Sequence, residues 1–339
     1  MVPFKNWELP KFDLLKDNLY SASFFLMKLM PARYIIETSL KSGELREGMT
    51  IIETTSGTFG LALAMICAEM KIPLKLVSDP AITPEFKRRI ELLGAEIYII
   101  SVDNPEKYGG YQPLRLKKIK EFLEQGNYFW PNQYDNLNNQ RSYFKLAEYI
   151  SDSFSKIDYI VGPVGSGGSM NGLAIYLKNY FPCLKFVGVD TPNSILFGQR
   201  NGKRELRGLG NSILPANHNI DNFDLVTWVP PQQAYYYTRE LYREHGLFMG
   251  PTSGAAYSFG QWLAQENKNC KVLCIFPDEG YRYFDTVYND EWIMNNKYNI
   301  IDSRDLVPKE VYESMESIGS WTYKYLTKED KNESNYFKK

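Results

Sequence analysis

A glycine- and serine-rich turn near the middle of the chain carries groups suited to holding an anion: Gly165, Ser166, Gly167, Gly168 and Ser169. An apolar stretch from Tyr159 to Val161 precedes this turn, and apolar residues at helical spacing follow from Met170 to Leu177. Closely spaced glycines let backbone N–H groups converge on one point, where the positive end of the helix dipole also lies. The pattern therefore predicts a phosphate-binding turn between a strand and a helix.

A purely structural interpretation of this turn stays open, because a tight strand-to-helix connection can require glycines for its backbone alone. The spacing differs from the Gly-x-Gly-x-x-Gly pattern of dinucleotide-binding folds, and no acidic residue at the corresponding distance ends a following strand that has its own helix. We therefore do not interpret the turn as a dinucleotide site.

Four other segments place small polar residues near predicted strand ends: 53–60, 132–134, 250–255 and 276–283. Taken singly, each is typical of an ordinary turn or helix cap. The Thr-Ser-Gly sequence at 252–254, for example, suits the first turn of a helix. These segments gain chemical meaning only if the fold brings them to the glycine-rich turn.

The composition is that of an ordinary globular protein of 339 residues, with 44% hydrophobic residues, 23% charged residues and a formal net charge of −1. This charge provides no overall field that would recruit nucleic acid or an anionic membrane. No apolar stretch approaches the ~20 residues that span a bilayer, and the N-terminus lacks a signal-peptide pattern. Four scattered cysteines and two isolated histidines predict neither a disulfide framework nor a metal site. We expect a cytoplasmic, metal-free protein that binds neither nucleic acid nor membranes.

The elements that would position these groups alternate between strand and helix in two sets. The first set begins with a strand at Met49 to Glu53 and includes a helix at Thr83 to Leu93, with Thr83 as its N-cap. The second set runs from a strand at Ile157 to Val161 to a strand at Val272 to Phe276, with a helix at Pro231 to His245 between them. Such alternation predicts an α/β fold of two doubly wound domains with mainly parallel sheets. The cleft between the two domains is the expected site.

Together, these segments match one known arrangement in order and spacing. From about Asn18 to Trp292 the chain resembles the cysteine synthase-like family of pyridoxal-phosphate enzymes, which have the fold type II architecture of the tryptophan synthase β subunit. The likeness extends to a clade of siderophore-pathway synthases that join O-phospho-L-serine to L-glutamate. Four segments carry that narrower resemblance: 27–37, 189–198, 204–210 and 282–288.

The resemblance implies a role for each matched residue. Lys28 matches the lysine that forms a Schiff base with pyridoxal 5'-phosphate and then acts as a base on the substrate. Thr252 matches the hydroxyl at the pyridine nitrogen of the cofactor, and Thr58 matches the residue at its 3-hydroxyl. The phosphate loop corresponds to Gly165, Ser166, Gly167, Gly168 and Ser169, and the substrate-carboxylate site to Thr55, Ser56, Gly57 and Gln133. Arg33 and Arg207 are candidates for holding the carboxylates of a second substrate.

Three positions depart from the family pattern. The Asp-Arg pair that usually follows the lysine is Leu29-Met30, so a local charge pair is absent. The glycine and serine that usually precede the lysine are replaced by the apolar run 25–27. The usual asparagine of the carboxylate loop is Thr58, and Phe59 follows it. We expect Phe59 either to enlarge apolar contact with the substrate or to plug the cleft.

The implied reaction is β-replacement on an activated L-serine, either O-phospho-L-serine or O-acetyl-L-serine, through an aminoacrylate. An amino acid amine such as that of L-glutamate is the implied nucleophile, which gives a precursor of 2,3-diaminopropionate. Two alternatives stay open: a cysteine synthase or β-elimination lyase that uses the same cofactor, and a catalytically silent paralogue that acts as a scaffold.

The resemblance also implies a domain layout and an assembly. Residues 1–32 and 145–305 are expected to form a large cofactor-binding domain, and residues 33–144 a small, mobile substrate domain. Residues 306–339 are expected to be a partly disordered C-terminal extension. The family further implies a homodimer whose partners are small amino acid substrates.

Overall fold

The structure is a computed structural model that describes residues 7–54, 57–108, 110–298, 306–317 and 319–336. The strands are β1 Lys11–Lys16, β2 Leu19–Ser23, β3 Thr50–Thr54, β4 Leu74–Ser78, β5 Glu96–Ile99, β6 Tyr128–Phe129, β7 Tyr159–Pro163, β8 Lys185–Asp190, β9 Leu225–Trp228, β10 Val272–Phe276, β11 Lys309–Glu310 and β12 Thr322–Tyr325. The helices are α1 Leu29–Ser42, α2 Thr58–Met70, α3 Pro84–Glu91, α4 Tyr111–Glu124, α5 Asn138–Arg141, α6 Phe144–Ser153, α7 Gly168–Tyr180, α8 Pro231–His245, α9 Pro251–Glu266, α10 Asp290–Asn295 and α11 Lys328–Tyr336.

The strands of the described residues form two sheets. The large sheet has the order β1-β2-β10-β7-β8-β9-β12-β11, and the small sheet has the order β5-β4-β3-β6. All pairings in the small sheet are parallel, whereas β1–β2 and β9–β12 are antiparallel pairs in the large sheet. The α/β class with mainly parallel sheets is therefore confirmed, and the antiparallel strands lie towards the edges of the large sheet.

The central strands of both sheets are buried on both faces, since alternate residues of a strand point to opposite sides and helices cover each side. In β7, Tyr159 and Val161 join the apolar cluster beneath α8 and α9, while Ile160 joins the cluster beneath α6 and α7. In β3, Ile51 packs with α1 and α2, while Ile52 packs against α4. Helices on both faces place the carboxyl ends of the strands at open edges, where loops can meet.

Several local predictions are confirmed. Helix α8 has the predicted bounds, and β10 spans the predicted strand. Thr83 is the N-cap of α3, and its hydroxyl accepts a hydrogen bond from the Phe86 N–H at 3.3 Å. The N-terminal strands and helix α1 were not predicted, although they hold Lys28 in place.

The C-terminal segment extends the large sheet. Strand β12 pairs with β9, and the Trp321 indole donates to the Thr227 hydroxyl at 3.1 Å. Helix α11 follows, and the end of the predicted disordered tail, residues 337–339, lies outside the described residues. No helix in the described ranges is long and apolar enough to cross a membrane.

Candidate active site at the carboxyl ends of the strands

Lys28 is placed by the connection between the two sheets. After β2 ends, the Phe24 N–H donates to the Phe276 carbonyl at 2.9 Å, and the Met27 N–H donates to the Pro277 carbonyl at 2.8 Å. These two bonds continue the pairing of β2 with β10 past the end of the strand. Lys28 follows as the N-cap residue of α1, at the edge where the large sheet gives way to the small one.

The surroundings of Lys28 are apolar on both sides. Leu29 packs in the core of the small sheet, whereas Met30 packs in a core of the large sheet. The ring centroid of Phe59 lies 6.0 Å from Lys28 Nζ, and Phe59 is itself buried in the core of the small sheet. Phe59 forms part of the apolar wall beside the amine. The two roles expected for it, apolar contact with the substrate and a plug of the cleft, stay predictions.

This burial lowers the pKa of the Lys28 amine from 10.5 to about 8. At that pKa about a quarter of the amine is neutral at pH 7.5, compared with about one part in a thousand for an exposed lysine. Part of the side chain remains accessible to solvent. Lys28 is therefore a reachable amine that is prepared to act as a nucleophile or a base.

The glycine-rich turn lies directly beside this amine. Lys28 Nζ donates to the Ser166 hydroxyl at 3.3 Å. Gly167 has a φ of +81°, and a Cβ there would lie 2.8 Å from the Asn217 carbonyl oxygen. A Cβ on Gly168 would lie 2.3 Å from Asn139 Oδ1. Close packing therefore excludes side chains at these two positions, so the turn requires glycines for structural reasons alone.

The same turn also presents unused donors. In the described part of the chain, no group accepts a hydrogen bond from the backbone N–H of any residue from Gly165 to Ser169. Helix α7 begins at Gly168, so these donors lie at the positive end of its dipole. The turn thus has both the space restrictions and the free donors of a phosphate site.

Thr252 lies in the first turn of α9 and is buried, with Gly208 of the β8–β9 connection packed near its methyl group. Beneath this helix start, the Gly250 N–H donates to the Asp278 carbonyl at 3.0 Å. The Tyr283 hydroxyl donates to Asp278 Oδ2 at 2.8 Å. Burial raises the pKa of Asp278 to about 6, against the opposing effect of the Tyr283 hydrogen bond. These contacts fix the start of α9, and with it Thr252.

The predicted carboxylate loop is described in part. Gly57 and Thr58 lie at the start of α2, whereas Thr55 and Ser56 lie outside the described residues. Gln133 is buried, and its carbonyl accepts from Asn139 Nδ2 at 2.6 Å. Asn139 Nδ2 also lies 3.4 Å from the Ser166 hydroxyl. One asparagine therefore links the segment that carries Gln133 to the glycine-rich turn.

Of the two arginines suggested for a second substrate, Arg33 is not suited to that role. It is buried and makes ion pairs with Glu8, with Glu37 at 3.8 Å and with Glu69 at 3.1 Å. Three carboxylates already surround its guanidinium. The hypothesis for Arg33 is therefore wrong, because this arginine joins α1 to α2 and the N-terminal segment.

Arg207 belongs to a group of three arginines, Arg115, Arg207 and Arg282, that we call the arginine cluster. Partial desolvation lowers the pKa of Arg207, and repulsion from Arg282 and Arg115 lowers it further, while Asp79 opposes this. Arg115 pairs with Asp79 at 3.3 Å. Nη1 of Arg282 lies 3.6 Å from the position a Cβ would take on Gly57. The cluster thus brings positive charge from both sheets to the start of the carboxylate loop.

Sequence reasoning missed Asn139, Arg115 and the buried carboxylate of Glu53. Asn139 lies in the one-turn helix α5, which has no periodic pattern to reveal it. Arg115 lies between the leucines of α4, and these apolar neighbours are the one feature of the sequence that indicates its burial. Among the described residues, no group of three His, Cys, Asp or Glu side chains is placed to hold a metal ion.

The residues present fit pyridoxal phosphate. They offer free donors for a phosphate at the glycine-rich turn, a primary amine for an aldehyde at Lys28, and a neutral hydroxyl at Thr252. Lys28 and the glycine-rich turn follow β2 and β7, which both run parallel to β10 in the large sheet and so end at the same edge. Thr252, at the start of α9, is tied to the loop after β10 by the bond from the Gly250 N–H to the Asp278 carbonyl.

Comparison with known proteins supports this interpretation. The model of a family described as pyridoxal-phosphate dependent enzymes matches residues 16–278. O-acetyl serine sulfhydrylase isoform 3 from Entamoeba histolytica is similar, with a TM-score of 0.74 and 26% identity over 85% of this chain and 86% of that one. A hydrogen sulfide-producing enzyme from Fusobacterium nucleatum has a TM-score of 0.74 and 26% identity over 81% and 96% of the two chains. An O-acetylserine dependent cystathionine beta-synthase from Helicobacter pylori has a TM-score of 0.71 and 28% identity over 84% and 92%.

Proposed function

The chain belongs to the family of pyridoxal-phosphate dependent enzymes, and from that premise we propose that it catalyses β-replacement on an activated L-serine. The proposed nucleophile is the amine of an amino acid such as L-glutamate, which gives N-(2-amino-2-carboxyethyl)-L-glutamate, a 2,3-diaminopropionate precursor. One observation carries the proposal: the Lys28 amine, with its pKa of about 8, lies 3.3 Å from the Ser166 hydroxyl of the anion-binding turn.

In this proposal each residue has a simple task. Electron withdrawal from the substrate Cα is the chemistry that pyridoxal phosphate supplies when bound. Lys28 removes the Cα proton, and the leaving group departs from Cβ with the electron pair of its C–O bond. The incoming amine then forms the new Cβ–N bond and gives up one proton, while Lys28 returns a proton to Cα. Gly57 and Gln133 would hold the substrate carboxylate, Thr58 would contact the 3-hydroxyl of the cofactor, and the turn 165–169 would hold the cofactor phosphate.

The arginine cluster favours anionic reactants. Arg115, Arg207 and Arg282 bring three positive charges, and Asp79 is the carboxylate paired with Arg115 at 3.3 Å. The Nε of Arg115 is buried without a hydrogen-bond partner among the described residues. Guanidinium groups are suited to phosphate and carboxylate, which they bind through paired hydrogen bonds. We therefore propose O-phospho-L-serine before O-acetyl-L-serine, and a dicarboxylate as the nucleophile.

A second candidate function comes from the names of the similar structures. Two of these proteins are named for O-acetylserine chemistry and one for hydrogen sulfide production, and each is at least 26% identical to this chain. A cysteine synthase or β-elimination lyase uses the same amine and phosphate site. Such an enzyme has less need of three arginines at the cleft.

The two candidates are distinguished by identifying the product. Holoenzyme is mixed with O-phospho-L-serine or O-acetyl-L-serine and with glutamate or sulfide, and the products are identified by mass spectrometry. We expect the glutamate adduct from the phosphorylated substrate. Cysteine from sulfide with no glutamate adduct would favour the cysteine synthase function. If the protein binds the cofactor but consumes neither O-phospho-L-serine nor O-acetyl-L-serine, both enzyme functions are contradicted and the scaffold hypothesis is favoured.

The homodimer, the cytoplasmic location and the absence of nucleic-acid or membrane partners stay predictions of the sequence. Light scattering on purified protein measures the assembly directly, and a monomeric mass would contradict the expected dimer.

A further inference from the structure

Glu53 occupies the carboxyl end of β3, immediately before the carboxylate loop, and is fully buried. Its Oε1 accepts from the Thr54 N–H at 2.7 Å and from the Trp130 indole N–H at 2.9 Å. Its Oε2 accepts from the Gln133 N–H at 3.2 Å. One side chain therefore ties Thr54, the last residue of β3 before the carboxylate loop, to the segment after β6 that carries Gln133.

From this arrangement we infer that Glu53 is the positioning residue that holds the two halves of the substrate-carboxylate site in register. The two halves are separate in the chain, because one follows Thr54, the last residue of β3, and the other, residues 130–133, follows β6. The pairing of β3 and β6 is short and ends at Ile51 and Phe129, so it does not extend to either loop. The inference rests on the proposed function, since it assigns Glu53 to the site that would bind the amino acid substrate.

The chemistry of the contacts requires the carboxylate form. All three partners are N–H donors, so an ionised Glu53 satisfies them, whereas a protonated carboxyl turns one acceptor oxygen into a donor. Burial raises the pKa of Glu53 to about 7, opposed by hydrogen bonds from Trp130, Thr54 and Gln133 and by the charge of Arg115 from α4. Tyr134 lies near Glu53 as well. Burial raises the pKa of the Tyr134 phenol, and the charge of Glu53 adds to this rise. Glu53 therefore titrates where the enzyme would work, and the register of the two segments weakens below about pH 7.

Substitution by glutamine tests the inference. Glu53→Gln keeps the size and one acceptor oxygen but turns an N–H₂ group toward the Gln133 N–H. We expect amino acid binding, read from the shift of the visible band of the bound cofactor, to weaken about tenfold or more at pH 8. The wild type loses affinity as the pH falls through about 7, and the variant lacks this dependence. Cofactor retention stays unchanged, because Glu53 contacts no part of the turn 165–169.

Glu69→Gln is the matched control. Glu69 is also a largely buried carboxylate of the small-sheet region. It lies on α2 and pairs with Arg33 on α1, and it makes no ion pair with the carboxylate loop among the described residues. This control is expected to keep the wild-type affinity and pH profile, even if it lowers stability. A general loss of stability is thereby separated from a loss of positioning.

A second measurement requires neither cofactor nor turnover. In cofactor-free protein, the indole N–H resonance of Trp130, assigned with Trp130→Phe, is expected to shift with a midpoint near pH 7. The shift is expected to be absent in Glu53→Gln. Because this titration is made on the wild type, it keeps the inference testable if Glu53→Gln fails to fold.

The outcomes separate the two proposals. If wild type binds amino acids while Glu53→Gln and Glu69→Gln bind them equally well, the role of Glu53 is refuted and the proposed function stands. An indole resonance that ignores pH between 6 and 8 would also refute it. If the wild-type cofactor band responds to no amino acid, the proposed function fails and the positioning role fails with it.

Discussion

The apolar surroundings of Lys28 lead to a prediction about stability that is independent of catalysis. Phe59 lies beside a desolvated amine that is charged in the unfolded chain at neutral pH, and the adjacent residues Leu29 and Met30 pack in the two apolar cores. Folding therefore requires either desolvation of an ammonium or loss of its proton. Lys28→Met keeps an unbranched side chain of similar length and removes the charge.

The magnitude follows from the two pKa values. Burial lowers the pKa of Lys28 from 10.5 to about 8, and each pKa unit corresponds to about 1.4 kcal/mol. The charged amine thus costs the folded state up to about 3 kcal/mol, part of which the hydrogen bond to Ser166 already offsets. We expect cofactor-free Lys28→Met to be more stable than wild type by about 1 to 3 kcal/mol at pH 7.

The sign of the pH dependence follows from linkage. The folded pKa lies below the unfolded value, so the cost is fully present below about pH 8 and disappears as the pH rises towards 10.5. The advantage of the variant is therefore expected to shrink between pH 8 and pH 10. Urea denaturation of the cofactor-free proteins at several pH values in this range measures it.

Lys120→Met provides the control, because Lys120 is an exposed residue of α4 and its charge costs the fold little. We expect its stability difference from wild type to be small and independent of pH. A Lys28→Met protein that is less stable than wild type at pH 7, or whose advantage does not change up to pH 10, would refute the argument from desolvation.

Three further substitutions test the site and its supports. Gly167→Ala places a Cβ on a residue with a φ of +81°, 2.8 Å from the Asn217 carbonyl oxygen. We expect the free energy of unfolding, measured by urea denaturation, to fall by about 1 to 2 kcal/mol. Visible absorbance of the bound cofactor is expected to show weaker retention. Arg207→Gln removes one charge of the arginine cluster, and we expect KM for O-phospho-L-serine to rise about fivefold while KM for O-acetyl-L-serine changes less than about twofold; equal changes would contradict an anion-binding role. Arg33→Met removes the arginine that pairs with the carboxylates of Glu8 and Glu69, and we expect the free energy of unfolding to fall by about 3 kcal/mol or more with KM unchanged. A rise in KM without a loss of stability would restore Arg33 as a substrate-binding residue.

The sequence predicted the fold class well because strand and helix periods are local properties. The helix Pro231–His245 was predicted with its observed bounds, since proline marks its start and apolar residues repeat at helical spacing. Its C-terminal Gly246 adopts a φ of +68°, which ends the helix.

The site was predictable only in part. The glycine-rich turn has a local signature, but its contact with Lys28 joins residues 138 positions apart, and only the family resemblance suggested it. Arg33 was misassigned because two of its carboxylate partners, Glu8 and Glu69, are distant in the chain. Glu37, four residues further along the same helix, was the one local signal of an ion pair. Glu53 and Asn139 act through contacts that no period in the sequence encodes.

The pairing of β2 with β10 has a consequence for the order in which the chain can fold. Leu19 lies opposite Val272, and the bonds that hold Phe24 and Met27 come from Phe276 and Pro277. During synthesis Lys28 therefore leaves the ribosome long before β10, the strand that fixes its position. The small sheet lies wholly between these two points and can form first, whereas the large sheet closes late and with high contact order. The reactive amine thus reaches its final position beside the glycine-rich turn late in folding, once β10 and with it most of the polypeptide has been made.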